Sequence, residues 1–215
     1  MIVVMEGPSA VGKTTWCRTR CPEVSIEEAS ESIEAPSLDS DPTEVAEFWS
    51  NFNAGLWRAG LEMERMCGLA VFDSDPFHLY FSWALWKVGF LTSALFEKEL
   101  ALYRRAIEQQ RIGFADYMVW REAPLDELRR RAKADSTRRR HRHEVYLSLI
   151  PWMKSWFEAR ERMLPGSLLS WSPEFRLEDL GASCVVPHRY DPTVLDGMVA
   201  TLDHLEQPRG ISQPA

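Results

Sequence analysis

Short, unbroken apolar runs alternate along this chain with longer segments of helical spacing. Ile2-Val3-Val4-Met5 contains no polar residue, the pattern of a parallel strand buried on both faces. Similar runs lie at 24–26, at 69–72 ("LAVF") and at 117–120 ("YMVW"). Two segments compete for the last strand, "SLLSW" at 167–171 after Pro165-Gly166 and "SCVV" at 183–186 after Gly181. Apolar residues three and four apart predict helices over 44–67, 91–110, 125–134, 141–163 and 193–205. Asp41-Pro42-Thr43-Glu44 gives the first of these a cap and a proline at its start. Strands alternating with helices predict an α/β fold, a parallel sheet covered on both faces, with right-handed crossovers. Five strands suit the length.

With 215 residues, 45% hydrophobic and 27% charged, the chain has the composition of one soluble domain. We place that domain at 1–206 and set the Pro/Gly/Ser-containing stretch 207–215 apart as a tail. A formal net charge of −7 argues against nucleic acid as a bulk partner, because phosphate neutralisation needs a basic surface. The most apolar stretch, 79–91, carries Lys87 and is too short to span a bilayer, so no membrane is expected. The opening apolar run ends at Glu6, well short of a secretory core. The four cysteines read as structural thiols, and the expected compartment is the cytoplasm.

The stretch "GPSAVGKTT" changes the picture. It satisfies G-x-x-x-x-G-K-[ST] with Gly7, Gly12, Lys13 and Thr14, directly after a strand and before the helix-compatible "TTWCRTR". That context predicts a phosphate-binding loop over Gly7, Ser9, Ala10, Val11, Gly12, Lys13, Thr14 and Thr15. Glycines let successive amides curl toward phosphate oxygens, Lys13 faces the β/γ-phosphates and the Thr14 hydroxyl is placed for Mg²⁺. The implied ligands are ATP and Mg²⁺, with GTP left open as the donor.

Acids gather where strands end. Glu27 and Glu28 follow the second strand, and in an open α/β sheet that edge is where ligands bind. One of them can accept a proton from an attacking hydroxyl; alternation allows only one to face the site, and Glu27 is the first choice. Asp73 ends the third strand, in position to orient Mg²⁺ with Thr14, while Asp75 suits a cap on the following helix. Seven arginines fall between Arg129 and Arg142. Guanidinium forks bind phosphate oxygens bidentately, so we read 129–145 as an arginine-rich lid, with Arg138, Arg139 and Arg142 as its working residues.

The order "MEGPSAVGKTT", "VSIEEA", "AEFWSNF", "VFDSDPFHLYFSWAL", "VWREAPLDELRRRAKADSTRRR" resembles the deoxynucleoside kinase and thymidylate kinase superfamily of P-loop kinases over most of the chain. The resemblance implies a three-layer α/β/α P-loop NTPase fold, a sheet order of 2-3-1-4-5, an ATP/Mg²⁺ donor site and an arginine lid. It puts the general base on Glu27 or Glu28. Those families carry Glu-Arg-Ser or Asp-Arg-Tyr after the third strand, where this chain has Asp73-Ser74-Asp75, so the arginine that helps hold their acceptor is missing.

Aromatic residues crowd the middle of the chain. Trp49, Phe52 and Phe81 are candidates to sandwich a flat acceptor, with Asn51 or Asn53 reading its edge. The expected function is transfer of the γ-phosphoryl group to a small-molecule acceptor, a nucleoside or nucleoside monophosphate first. Alternatives are another hydroxylated molecule, such as an antibiotic or biosynthetic intermediate (as in chloramphenicol-phosphotransferase-like kinases), and a nucleotide switch acting through a partner. A homodimer through the long middle helices is the expected assembly.

Overall fold

The apolar run at the start of the chain is strand β1 (Ile2–Glu6), buried along its whole length at the centre of a five-stranded parallel sheet. The computed structural model describes residues 1–28, 34–37, 40–135, 142–172 and 174–203. The sheet order is β2-β3-β1-β4-β5, with β2 Ser25–Ile26, β3 Ala70–Asp73, β4 Tyr117–Trp120 and β5 Leu168–Ser170. Met5 pairs with Asp73 and Glu6 with Trp120, so the C-terminal ends of β3, β1 and β4 share one edge. This is the order that the family resemblance implies.

Helix α1 (Lys13–Arg20) follows β1, and α2 (Pro42–Cys67) follows β2. Asp41 caps α2 by accepting from the amides of Thr43 and Glu44. Next come α3 (Leu79–Lys87), α4 (Ser93–Glu108) and α5 (Leu125–Ala134). The single helix expected over 141–163 is two, α6 (His143–Ser148) and α7 (Ile150–Met163). Pro151 stands at the first turn of α7, where a missing amide costs nothing, and the chain breaks at Leu149. Helix α8 (Pro192–Asp203) closes the described chain, and the proposed tail lies outside the described residues.

The two faces of the sheet are covered unequally. Ile2, Val4, Phe72, Met118 and Trp120 face a large core with Trp57, Trp83, Trp156 and Phe157, supplied by α2, α3, α4, α7 and α8. Val3, Met5, Val71 and Val119 face the other way, onto Cys17 of α1 and Cys21 just after it, and Trp16, Trp171 and Phe175 pack around them. Those two thiols are free and buried, as a structural role requires, whereas Cys67 and Cys184 are exposed and depart from the expectation of structural thiols. The segment 183–186 is not a strand: Cys184 and Val186 are exposed and a short 3₁₀ turn starts at Val186, so "SLLSW" supplies β5. No helix among the described residues is long and apolar enough to cross a membrane.

Candidate nucleotide site

The sequence between β1 and α1 forms a tight loop over the central strand. Gly7 sits at φ 149°, and a Cβ there would lie 2.7 Å from the carbonyl oxygen of Arg121, so only glycine lets β1 and the end of β4 approach this closely. Gly12 starts α1 at φ 103°, with no side-chain cap on the helix. Its first-turn amides therefore carry the partial positive charge of a helix N-terminus without a protein carboxylate to neutralise it. Ala10 is held at φ 69°, a left-handed conformation that costs a non-glycine residue roughly 1–2 kcal/mol. Lys13 folds back across the loop, donating from Nζ to the Gly7 carbonyl oxygen at 2.8 Å.

Beneath the loop lies a carboxylate that the sequence patterns did not single out. Glu6 is fully buried and accepts from the Gly7 amide (2.8 Å), the Asp75 amide (3.0 Å) and the Tyr80 hydroxyl (2.9 Å). Its Oε1 is 3.6 Å from Lys13 Nζ. One side chain thus ties the phosphate loop to the turn after β3. Its position, last in an apolar strand before a glycine, was the available signal.

Asp73 is 1% exposed, and neither carboxylate oxygen makes a hydrogen bond among the described residues. An orphaned buried carboxylate is costly unless a cation or ligand completes it. It stands at β3's end beside Met5, and its charge acts on Cys17 and Arg18 of α1, so it faces the helix that carries Thr14. No group of three or more His, Cys, Asp or Glu is assembled among the described residues. Asp73 and Thr14 therefore suit a hard cation that takes most of its ligands from phosphate and water. Asp75 does cap the next turn, accepting from the Phe77 amide at 2.9 Å. Burial pushes its carboxyl up to about 7, assisted by Glu6 and opposed by Arg160.

The two glutamates after β2 are separated by their surroundings. Glu27 takes a bidentate pair from Arg18 on the exposed side of α1, at 2.6 and 2.7 Å. Glu28 is exposed as well, but its charge reaches Tyr80: burial first, then Glu6 and Glu28, raise the Tyr80 hydroxyl well above its ordinary value.

Arg138 and Arg139 lie outside the described residues. Arg142 is exposed at the start of α6, where its carbonyl accepts from the Tyr146 amide. Arg129 is paired with Glu144. Two other arginines reach the loop. Arg131 of α5 donates to the Val11 carbonyl at 2.9 Å and pairs with Glu127. Arg121, at the end of β4, stacks its guanidinium 4.8 Å from the Trp171 ring, which meets Trp16 edge-on at 5.5 Å. Both guanidiniums lie within 4 Å of where a Cβ on Gly12 would sit. The position of Arg121, directly after an apolar strand, was legible; its aromatic partner, fifty residues later, was not.

The candidate acceptor residues divide. Trp49 and Phe52 of α2 lie edge-to-face at 5.9 Å, and Phe81 of α3 joins them through His78, whose ring is 6.4 Å from Trp49 and 4.9 Å from Phe81. Tyr146 of α6 adds a further ring 5.8 Å from Phe81. All five are half-buried, unlike Trp57, Trp83 and Trp156, which the core encloses completely. Asn51 is not with them. It is exposed and accepts from Arg111 at 2.7 Å, beside a cavity of about 370 Å³ between α2 and α4.

Sheet order, loop and flanking helices define a nucleoside kinase-like P-loop fold. The solved structures that share it include three of deoxyadenosine kinase from M. mycoides, each 10% identical to this chain. The one with bound dATP has a TM-score of 0.56, covering 94% of this chain and 100% of that one. The one with products dCMP and a flexible dCDP reaches 0.53, and the one with bound dCTP 0.52, each covering 95% of this chain and 100% of the other. No family model matches the sequence, and no curated protein matches it.

Proposed function

We propose that this protein is a phosphotransferase that moves the γ-phosphoryl group of ATP to a hydroxyl of a nucleoside-class acceptor. One observation carries the reading: the phosphate loop with Lys13, the orphaned Asp73 and Glu28 share one edge of the sheet, next to a half-buried cluster of aromatic rings. The likeness to structures of deoxyadenosine kinase supports the same class of chemistry.

In this reading Lys13 leaves the Gly7 carbonyl to meet the donor phosphates, and the α1 amides hold them. Asp73 and Thr14 would hold Mg²⁺, which when bound supplies positive charge to the donor phosphates. Trp171 with Arg121 offers a flat, cationic platform for the donor base. Glu28 takes the proton of the attacking hydroxyl, since Glu27 is already bound by Arg18. Arg131, with Arg142, Arg138 and Arg139 of the lid, neutralises charge on the transferring group. A second reading, a kinase of another hydroxylated small molecule, is favoured by Asp73-Ser74-Asp75, which carries no arginine for a nucleoside.

The test is ATP consumption across nucleosides, nucleoside monophosphates and hydroxylated antibiotics, in the presence of Mg²⁺. Turnover is expected with a nucleoside and lost in Lys13→Ala, whose circular dichroism should match the parent. Turnover with monophosphates alone would remove Glu28 as base; turnover undiminished in Lys13→Ala would remove the whole assignment.

A further inference from the structure

We infer that His78 is the residue that selects the acceptor, by a hydrogen bond to an uncharged polar group carried on the acceptor's planar ring. The inference rests on the phosphotransferase reading and deepens it. After β3 the chain turns through Ser74 (φ 81°), and the Asp75 cap on Phe77 leaves His78 at the start of α3. The imidazole there has rings on three sides: Trp49 at 6.4 Å, Tyr80 at 5.4 Å and Phe81 at 4.9 Å. Phe52 extends the cluster behind Trp49, and Tyr146 extends it behind Phe81. Three separate elements, α2, α3 and α6, thus contribute half-buried aromatic surface around a single polar ring. Contacting, partly exposed rings of this kind are the mark of a ligand surface rather than of a filled core.

Neither nitrogen of His78 makes a hydrogen bond among the described residues, although the ring is half-buried. Neither nitrogen is committed to the protein, so both are open to a ligand that displaces solvent from the ring. Desolvation keeps the imidazole neutral at working pH, with one donor and one acceptor. The charges of Glu6 and Lys13 also act on it, so the ring lies near the loop that carries Lys13. A neutral imidazole among aromatic faces suits a heterocycle's uncharged edge and gives little to an anionic group, which would be desolvated without a cation. The position also explains how the chain manages with Asp73-Ser74-Asp75: a polar contact to the acceptor comes from four residues after Ser74.

The experiment is calorimetric titration of deoxyadenosine, deoxycytidine and thymidine into protein saturated with a non-hydrolysable ATP analogue. At least one nucleoside should bind the parent. His78→Phe, which keeps the ring and removes the nitrogens, should weaken that nucleoside by about tenfold or more, the loss expected when a buried polar edge is left unpaired. Affinity for the ATP analogue should not change. His78→Asn, which restores one donor and one acceptor, should recover part of the loss; if the Phe variant fails to fold, His78→Ala serves in its place. Equal nucleoside affinity in parent and variant overturns the inference, as does a parent that binds no nucleoside. The phosphotransferase reading fails separately, by a parent that holds both ligands yet transfers nothing from ATP itself.

Discussion

At the residue scale, Glu27 and Glu28 are the most instructive pair, because pattern alone narrowly favours Glu27 for the proposed proton transfer, whereas the fold pairs that residue with Arg18. Strand alternation turns neighbouring side chains to opposite faces, but it cannot say which direction holds Arg18. The Arg18 guanidinium holds both oxygens of Glu27, and the proposed mechanism therefore gives the proton transfer to Glu28, whose charge reaches Tyr80. Glu28→Gln should lower turnover with a hydroxyl acceptor by roughly 10²–10⁴, the usual worth of a general base. Glu27→Gln should stay within a few-fold of the parent. Steady-state kcat for the two variants, with the same acceptor, decides between them; equal losses would remove the assignment. The same limit explains why Glu6, His78, Arg131 and Trp171 escaped a linear reading. Each takes its surroundings from residues far along the chain, as Glu6 does from Asp75 and Tyr80.

At the element scale much more was legible. The unbroken run of β1 and the boundaries of β4 and α5 are where apolar pattern and composition place them. The errors come where pattern is shared by two outcomes. "SCVV" and "SLLSW" have equal strand character, and what decides is which can lie beside β4: Met118 donates to the Ser167 carbonyl, fixing β5. The helix α2 shows a further contrast that pattern hides, since its two interior glycines face different surroundings. A Cβ on Gly60 would lie 2.3 Å from the Phe72 ring, whereas one on Gly55 meets nothing within 4 Å. Helix propensity alone favours alanine at both by about 1 kcal/mol. Gly55→Ala should gain about that amount. Gly60→Ala should instead lose about 1–3 kcal/mol by overpacking α2 against the sheet. Urea unfolding of the two variants reads the difference, and equal gains would mean that α2 and β3 are not so closely packed.

At the scale of the whole molecule, the buried ionisable groups set how stability depends on pH, and they oppose one another. Burial pushes Glu99 of α4 from 4.5 up to about 7, against a hydrogen bond from Ser82. It moves Asp75 in the same direction, from 3.8 to about 7. For both, the folded state holds its proton more tightly than the unfolded chain. Their contribution is therefore fully present below the ordinary carboxyl range and is lost as pH rises through about 7. His78 acts the other way. Burial lowers it from 6.5 to about 4, so the unfolded chain binds its proton first and stability falls as pH drops through that window. The parent's profile between pH 4 and 8 is thus a partial cancellation, and a single curve says little. A difference curve isolates one group. Glu99→Gln keeps size and a hydrogen-bonding oxygen for Ser82 but cannot ionise. Relative to the parent it should show no pH-dependent gain near pH 4 and a growing one up to pH 8. The total is on the order of 3 kcal/mol, from the rise of its carboxyl from 4.5 to about 7. Thermal midpoints of both proteins across that range supply the test: a constant offset would mean that Glu99 ionises in the folded state as it does in water, and that α4 does not seal it from solvent.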